Sequence, residues 1–441
     1  GGAKSVESVF NNIKAQPGNF LADDPGDVIQ YIAAHDNLTL FDIIAQSIKK
    51  DPSIAENDTE IHQRQRLGNL LVLTSQGTPF IHSGQEYGRT KQFRHPDYQY
   101  PVAEDQVPNK AHLLTNADGT PFDYPYYIHD SYDSSDAVNK FDWTKATDET
   151  LYPENTRTQA FTKGLIALRK STDAFRLGTK DQVDQKVSLI SIPGQNGIAT
   201  NDVVIAYQTI ASNGDRYAVF VNADSKERSF VLSDIYKDLL QGQVLVDGER
   251  AGVEALSDLV GVELTDSAVV LAPLTATVIR LPYIITKVPD TAEEKPTLDF
   301  TTKERTEESV LPIVEEVRYD ATLAKGQSYV LQEGKAGKRV LVYKDVLVDG
   351  KVVATKLLSE TVVDGEARIV VKGSMEANDV VEKPSLSTPT AQASEQTTST
   401  SNNENLPATG DRQSDLALLG LGLAGLGLTV AAQGRNKKSE E

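Results

Sequence analysis

The sequence predicts a multidomain chain: the C-terminal part of a (β/α)8 barrel, an antiparallel β-sandwich, a small glycine-punctuated β module, a disordered linker and an apolar anchor helix. Three observations predict it. Residues 27–86 run strand, helix, strand, with polar groups after each strand; residues 180–283 break into short alternating apolar runs separated by turn residues; and an almost wholly polar stretch at 384–405 precedes a charge-free segment at 416–432.

In the first region, 1–179, the run DVIQYIAA (27–34) fits a buried strand ending at His35-Asp36-Asn37. Residues 59–76 follow with helical spacing (Ile61, Leu67, Leu70, Leu71), and Gly77–Ile81 reads as a second buried strand ending in Ser83-Gly84-Gln85-Glu86. This order predicts a parallel βαβ unit. Polar residues at strand C-termini are where a (β/α)8 barrel carries its site. An irregular stretch from Arg89 to Pro153 then leads to a helix, Arg157 to Lys170. Two strands do not close a barrel, and the chain opens Gly1-Gly2 with Met375 its only methionine, so the expectation is the C-terminal part of a longer polypeptide.

Residues 180–283 contain VVIAYQTI, YAVFVNAD, SFVL, QVLVD, AVVLAP and TATVIRLP, with Asn213-Gly214-Asp215 and Asp247-Gly248 as turns. That pattern predicts an antiparallel β-sandwich. Residues 284–300 read as a linker. A second β module is expected over 301–376, where Gly326, Gly334, Gly337, Gly350 and Gly373 punctuate extended runs and permit positive φ between strands with little core. Residues 377–405 cannot bury enough apolar surface to offset ordering entropy and are expected to be a flexible spacer.

Composition narrows the function. Sixty-three acidic against forty-four basic residues give a formal charge of −19, which disfavours nucleic acid as a partner. The absence of cysteine removes disulfide, thiol and thiolate-metal chemistry. His62, His82, His95, His112 and His129 have no metal-ligand spacing and are expected to pack or face solvent, and no calcium-ligand spacing stands out among the acidic loops, so no cofactor is identified.

A carboxylate beside an imidazole at a strand end, as in His35-Asp36, can hydrogen-bond adjacent sugar hydroxyls and stabilise a developing positive charge. Taken alone, such a pair is more often simply a satisfied hydrogen-bonding pair. Here three segments agree in order. YIAAHDN resembles the fourth sequence region of the alpha-amylase family, glycoside hydrolase family 13. GTPFIHSGQE resembles that family's eighth-strand pattern, and SYDSSDAVNKFDW (131–143) resembles the following stretch in type I pullulanases and related debranching enzymes. The resemblance implies cleavage of α-1,6 links in pullulan, glycogen or starch-type α-glucans. It makes Asp36 the carboxylate that stabilises the oxocarbenium-like state, with His35, Asn37 and Asn139 contacting sugar and Glu86 structural at the rim. Tyr98, Tyr100, Tyr124, Tyr126, Tyr127 and Trp143 are candidates to stack on sugar faces or to pack the loop. A retaining glycosidase needs a nucleophile and an acid/base about 5 Å apart. No stretch here resembles the regions that carry them in this family, so these residues alone are expected to be inactive. A wall-anchored glucan-binding adhesin without catalysis is the alternative.

Residues 301–376 resemble a G-five domain, a type proposed to bind N-acetylglucosamine-containing glycans, with a surface spacer as the simpler reading. Leu406-Pro407-Ala408-Thr409-Gly410, the apolar run 416–432 and the basic Arg435, Lys437 and Lys438 resemble a sortase sorting signal. That resemblance implies cleavage after Thr409, linkage of Thr409 to peptidoglycan, and a secreted protein anchored to a Gram-positive cell wall.

Overall fold

The computed structural model describes residues 6–190, 203–283, 298–375 and 429–431. The sorting-signal residues 406–410, most of the expected helix 416–432, the linker 377–405 and most of the linker 284–300 lie outside the described residues. Two compact units are formed: Gly1–Glu304 with Lys344–Lys356 and Ala417–Glu441, and Arg305–Tyr343 with Leu357–Leu416.

In the first unit, α1 (Val6–Ile13) buries Val6, Val9, Phe10 and Ile13, the one-face spacing of an amphipathic helix. The strand β1 (Ile29–Tyr31) is followed by α2 (Leu40–Ile48), α3 (Ala55–Thr74) and β2 (Thr78–Pro79). β1 and β2 pair in parallel, Ile29 opposite Thr78 and Gln30 opposite Pro79. Strand, helix, strand is therefore present as expected, although both strands are shorter than their apolar runs. Gln30 sits fully buried mid-strand, donating to Asn12 O at 2.7 Å and Gln76 O at 2.9 Å. Phe80, expected inside the second strand, is 43% exposed.

The stretch 89–153 is more ordered than its sequence suggests. It contains the hairpin β3 (Ala111–Thr115) and β4 (Pro121–Ile128), and the short helices α4 (Asp136–Asn139) and α5 (Trp143–Thr147). The hairpin turn closes through Gly119 at φ +87°, with Asn116 N donating to Thr120 O at 2.7 Å. β4 buries Tyr126, Tyr127 and Ile128 consecutively, so it lacks the alternation by which strands are recognised.

The helix α6 (Pro153–Ser171) packs on α3, whose second half from Ile61 is almost wholly buried. Arg169 of α6 reaches past the C-terminal end of α3. Its guanidinium donates to the carbonyls of Leu73 (2.9 Å) and Ser75 (2.7 Å), at the helix end where carbonyls lack intrahelical partners, and to that of Gly77 (2.7 Å) in the turn beyond. Burial lowers its pKa to about 10.

After α7 (Lys180–Lys186), eight strands build the sandwich: β5 (Val187–Leu189), β6 (Val204–Ile210), β7 (Arg216–Asn222), β8 (Arg228–Val231), β9 (Gln243–Val246), β10 (Val262–Leu264), β11 (Ala268–Leu271) and β12 (Thr275–Leu281). The larger sheet runs β5-β6-β7-β12-β9 and the smaller β10-β11-β8. β6 and β7 are buried at every position. Ala206, Ala218 and Phe220 pack with Phe230, Val269 and Leu271 of the smaller sheet, while Ile205, Tyr207, Val219 and Val221 join the cluster containing Phe10, Leu70 and Phe161 of the helices. A sheet covered on both faces reads as continuous apolar runs.

The remaining strands are β13 (Phe300–Val310), β14 (Glu315–Ala324), β15 (Ser328–Gln332), β16 (Lys338–Val348), β17 (Lys351–Val363) and β18 (Arg368–Met375), in the sheets β13-β16-β17 and β14-β18-β15. Within the second unit β14 pairs with β18 in parallel, and most of its residues are exposed, as expected of a module with little core. Gly326, Gly334 and Gly350 have positive φ. Gly337 and Gly373 do not, and their role differs from the expectation. A Cβ on Gly373 would stand 2.1 Å from Ala324 O, and one on Gly337 2.6 Å from Val363 O. They permit close backbone approach.

Within the expected helix 416–432, Thr429–Ala431 is an extended strand, antiparallel to β1 on the edge opposite β2. This corrects the helical expectation for those three residues: an unpaired strand edge offers backbone donors and acceptors to any extended segment. Among the described residues, no helix is long and apolar enough to cross a membrane.

Candidate functional site

His35, Asp36 and Asn37 follow the C-terminal end of β1 after three intervening residues, and all three are exposed. His35 Nε2 lies 3.3 Å from Asp36 Oδ1, with the two side chains 81% and 77% exposed. The turn is made by Asn37 at φ +61°, a left-handed conformation that Asn tolerates better than most residues. Asp36 also bridges Asp130, the residue after β4 and His129, so the hairpin borders the same rim.

A buried frame holds this turn. Lys91 is 1% exposed, and its Nζ donates to His35 O at 2.9 Å and Asn37 O at 2.7 Å, one residue on either side of Asp36. Lys91 N in turn donates to Asp42 Oδ2 at 2.7 Å, and Thr90 Oγ1 donates to the other carboxylate oxygen. Asp42 is fully buried in the first turn of α2, where Thr39 caps the helix by accepting from Asp42 N. Burial raises the Asp42 carboxyl against its hydrogen bonds and the Lys91 charge, while burial and then Arg89 lower the Lys91 ammonium against the carboxylates of Asp42, Asp130 and Asp36. Lys91, one of three basic residues in the stretch Arg89–Arg94, was not singled out from the sequence.

The second strand end is arranged differently. Glu86 accepts from Gly84 N at 2.8 Å, a local bond that shapes the loop, in keeping with a structural role. His82 is held neutral, its pKa lowered to about 4 first by burial and then by Arg89 and Lys91. Asn139 lies on the third segment. Its Nδ2 donates to Ser131 O (2.7 Å) and Ser134 O (3.0 Å), while its Oδ1 faces Arg89 Nη2 at 3.4 Å. Both amide hydrogens thus tie the 131–139 loop together.

Among the aromatics, Tyr126 and Tyr127 are fully buried, whereas Tyr100, Trp143 and the unforeseen Tyr132 are 74%, 71% and 92% exposed. His62 is buried, and His112 stacks on His129 at 4.3 Å. No group of three or more metal-ligating side chains occurs among the described residues.

The family model SpuA C-terminal matches residues 186–282, and the G5 domain model matches 302–375. Pullulanase A of Streptococcus pneumoniae is 64% identical over 296 residues, which is 67% of this chain and 23% of that relative. Over those 296 residues the chain is homologous to pullulanase A. Pullulanase of Bacillus subtilis is 28% identical over 196 residues, 44% of this chain and 21% of that relative. Among solved structures, the catalytic module of the multi-modular glycogen-degrading pneumococcal virulence factor SpuA superposes with TM-score 0.62 at 65% identity, over 64% of this chain and 40% of that one. The Group B Streptococcus pullulanase SAP gives 0.60 at 59% identity, over 64% and 36%. The chain spans a quarter or less of the length of the curated pullulanases it matches.

Proposed function

We propose that these residues are the C-terminal, sugar-contacting portion of a pullulanase-type glycoside hydrolase that cleaves α-1,6-glucosidic linkages in pullulan, glycogen or starch-type glucans. The observation that carries this reading is the exposed His35–Asp36 pair clamped beyond the C-terminal end of a parallel strand, in a chain 64% identical over 296 residues to pneumococcal pullulanase A. A structure of the SAP relative is a complex with maltotetraose, and the SpuA relative is described as glycogen-degrading; both support an α-glucan as substrate.

In this reading residues 1–179 are the last part of a (β/α)8 barrel, 180–283 a sandwich that shields its helices, and 301–376 a G-five module, with 284–300 and 377–405 as linkers. Asp36 is the carboxylate that stabilises positive charge developing at the anomeric carbon, an interaction stronger in the transition state than in the ground state. His35 and Asn37 hydrogen-bond hydroxyls of the ring at the cleavage point. Asn139 acts through the shape of its loop. The nucleophile and acid/base are supplied by barrel strands outside these residues. The G-five module is a spacer in the wall or binds N-acetylglucosamine-containing glycans, and glycan-array binding distinguishes the two. Sortase recognises Leu406–Gly410 and joins Thr409 to peptidoglycan; a peptidoglycan fragment on Thr409 in muramidase digests is the expected readout.

The test of the enzymatic reading is release of reducing ends from pullulan. A polypeptide joining these 441 residues to a barrel N-terminal half is expected to be active, and Asp36→Asn to lower kcat by about 10²–10³-fold. The chain by itself is expected to be silent. Full activity of Asp36→Asn, or pullulan hydrolysis by the chain alone, would overturn the assignment.

A further inference from the structure

We propose that Trp143 is the platform of a glucosyl-binding subsite, an inference that rests on the α-glucan reading above. Trp143 is the sole tryptophan of the chain and stands 71% exposed at the start of α5. A large aromatic left in water forgoes burial energy, and when it is also held rigid the arrangement favours a ligand over accident.

The rigidity is explicit. Phe141 packs against Trp143 at 4.5 Å between ring centroids, and Tyr87, whose ring is buried, meets Phe141 edge-on at 4.9 Å. Between the two rings, Asp142 N donates to Tyr87 OH at 3.0 Å, and Asp142 Oδ1 caps α5 by accepting from Lys145 N at 3.0 Å. The indole is therefore braced through aromatic neighbours to the protein interior while most of its surface stays open.

Polar groups complete the site. Trp143 lines an open groove of about 600 Å³ together with Thr144, Thr147, Asp148 and Glu149. An apolar ring face beside hydroxyls and carboxylates matches a pyranose, which presents an apolar C–H face and a rim of hydroxyl donors. A cationic ligand fits less well. Asp148 Oδ1 already accepts from Thr150 N and Leu151 N, both at 3.0 Å, so part of the negative potential is directed into the protein. Polyanions are disfavoured by the chain's formal charge of −19. Trp143 lies thirteen residues after Asp130, the bridge partner of Asp36, in the same connecting segment.

Because Trp143 is the single tryptophan, its emission reports this position alone. The experiment is a maltotetraose titration of the full 441-residue chain, followed by tryptophan fluorescence and, in parallel, by calorimetry on wild type, Trp143→Ala, Trp143→Phe and Asp36→Asn. The proposal expects a saturable change in emission, affinity about tenfold weaker in Trp143→Ala, partial recovery in Trp143→Phe, and an emission change that survives in Asp36→Asn. Calorimetric binding with unchanged emission and unchanged affinity in Trp143→Ala overturns the subsite while leaving the α-glucan reading in place. Absence of heat and of any emission change in wild type counts against both. Circular dichroism melts identical to wild type establish that each variant is folded.

Discussion

The buried ammonium of Lys91 donates to the two backbone carbonyls that flank Asp36, to His35 O at 2.9 Å and to Asn37 O at 2.7 Å. One side chain thereby fixes both ends of the turn that presents the exposed carboxylate. Replacing Lys91 by Met keeps the aliphatic stem and removes the donors. Two inward carbonyls then lose a charged partner, at a cost of about 1–3 kcal/mol, and the Asn37 turn is free to relax. The expected outcome is weaker maltotetraose binding with only a modest loss in urea midpoint. Unchanged affinity in Lys91→Met would show that the turn holds its shape without the clamp.

Arg169 carries a comparable structural duty far from that turn. Its three carbonyl partners, Leu73, Ser75 and Gly77, lie where α3 ends and β2 begins. Arg169→Met is expected to destabilise the first unit by about 3–5 kcal/mol, because the carbonyls are left buried and unpaired. Chemical denaturation monitored by circular dichroism measures it. Arg169→Lys should recover only part of the loss, since one ammonium cannot spread over three acceptors in the way a guanidinium does.

Acid stability is governed in part by two neighbours on α3. His62 is fully buried, with Nδ1 2.9 Å from Thr158 Oγ1, and its pKa is lowered to about 3 by burial and then by the cations Arg66, Lys145 and Arg157. The unfolded chain binds a proton on this residue from about pH 6.5 downward and the folded chain does not, so stability falls as pH drops from 6.5 toward 3. Asp58, whose Oδ1 is 3.9 Å from His62 Nε2, has its pKa raised to about 6 by burial and by Glu154. It keeps a proton in the fold that the unfolded chain releases near pH 3.8, so its contribution is largest below 3.8 and is lost as pH rises through 6. The two slopes oppose each other between about pH 4 and 6. Asp58→Asn is expected to unmask the His62 slope, up to about 1.4 kcal/mol per pH unit, in denaturation midpoints taken from about pH 4 to 7. His62→Gln should flatten it.

The glycines of the small β module separate into two classes with different predicted costs. Gly326 has φ +95° and open space where an added methyl would sit, so Gly326→Ala should cost about 1 kcal/mol from backbone strain alone. Gly373→Ala would drive a methyl to within 2.1 Å of Ala324 O, across the parallel pairing of β14 with β18. It should abolish amide-exchange protection over 315–324 and 368–375 while Gly326→Ala retains most of it.

Much of this architecture was legible. The six apolar runs between 203 and 282 all became sandwich strands because turn residues mark their ends. The apolar residues Ile61, Leu67, Leu70 and Leu71 marked α3, which is buried from Ile61 onward between α6, α2 and the other elements packed on it. The hairpin at 111–128 was not legible, since β4 is buried on consecutive residues and starts at a proline. Nor was the distinction between glycines needed for φ and those needed for clearance, which depends on a strand distant in sequence. At the site, His35, Asp36 and Asn37 were visible as a motif, but Lys91 and Asp42 were not. A charged residue buried as a clamp carries no local pattern, because its partners are backbone carbonyls supplied by another segment. Trp143 could be noticed but not weighed, as exposure is a property of the packed loop.

The central claim, that the His35–Asp36 turn contacts an α-glucan, is tested most directly by the histidine resonances of the chain. With six histidines in the sequence, the ¹H–¹³C spectrum of the imidazole Hε1 groups is sparse enough to assign by single substitutions. On addition of millimolar maltotetraose, the account predicts that the His35 signal moves in a saturable way while that of the buried His62 stays fixed, and that Asp36→Asn reduces the response. A His35 signal that remains stationary throughout the titration would contradict it.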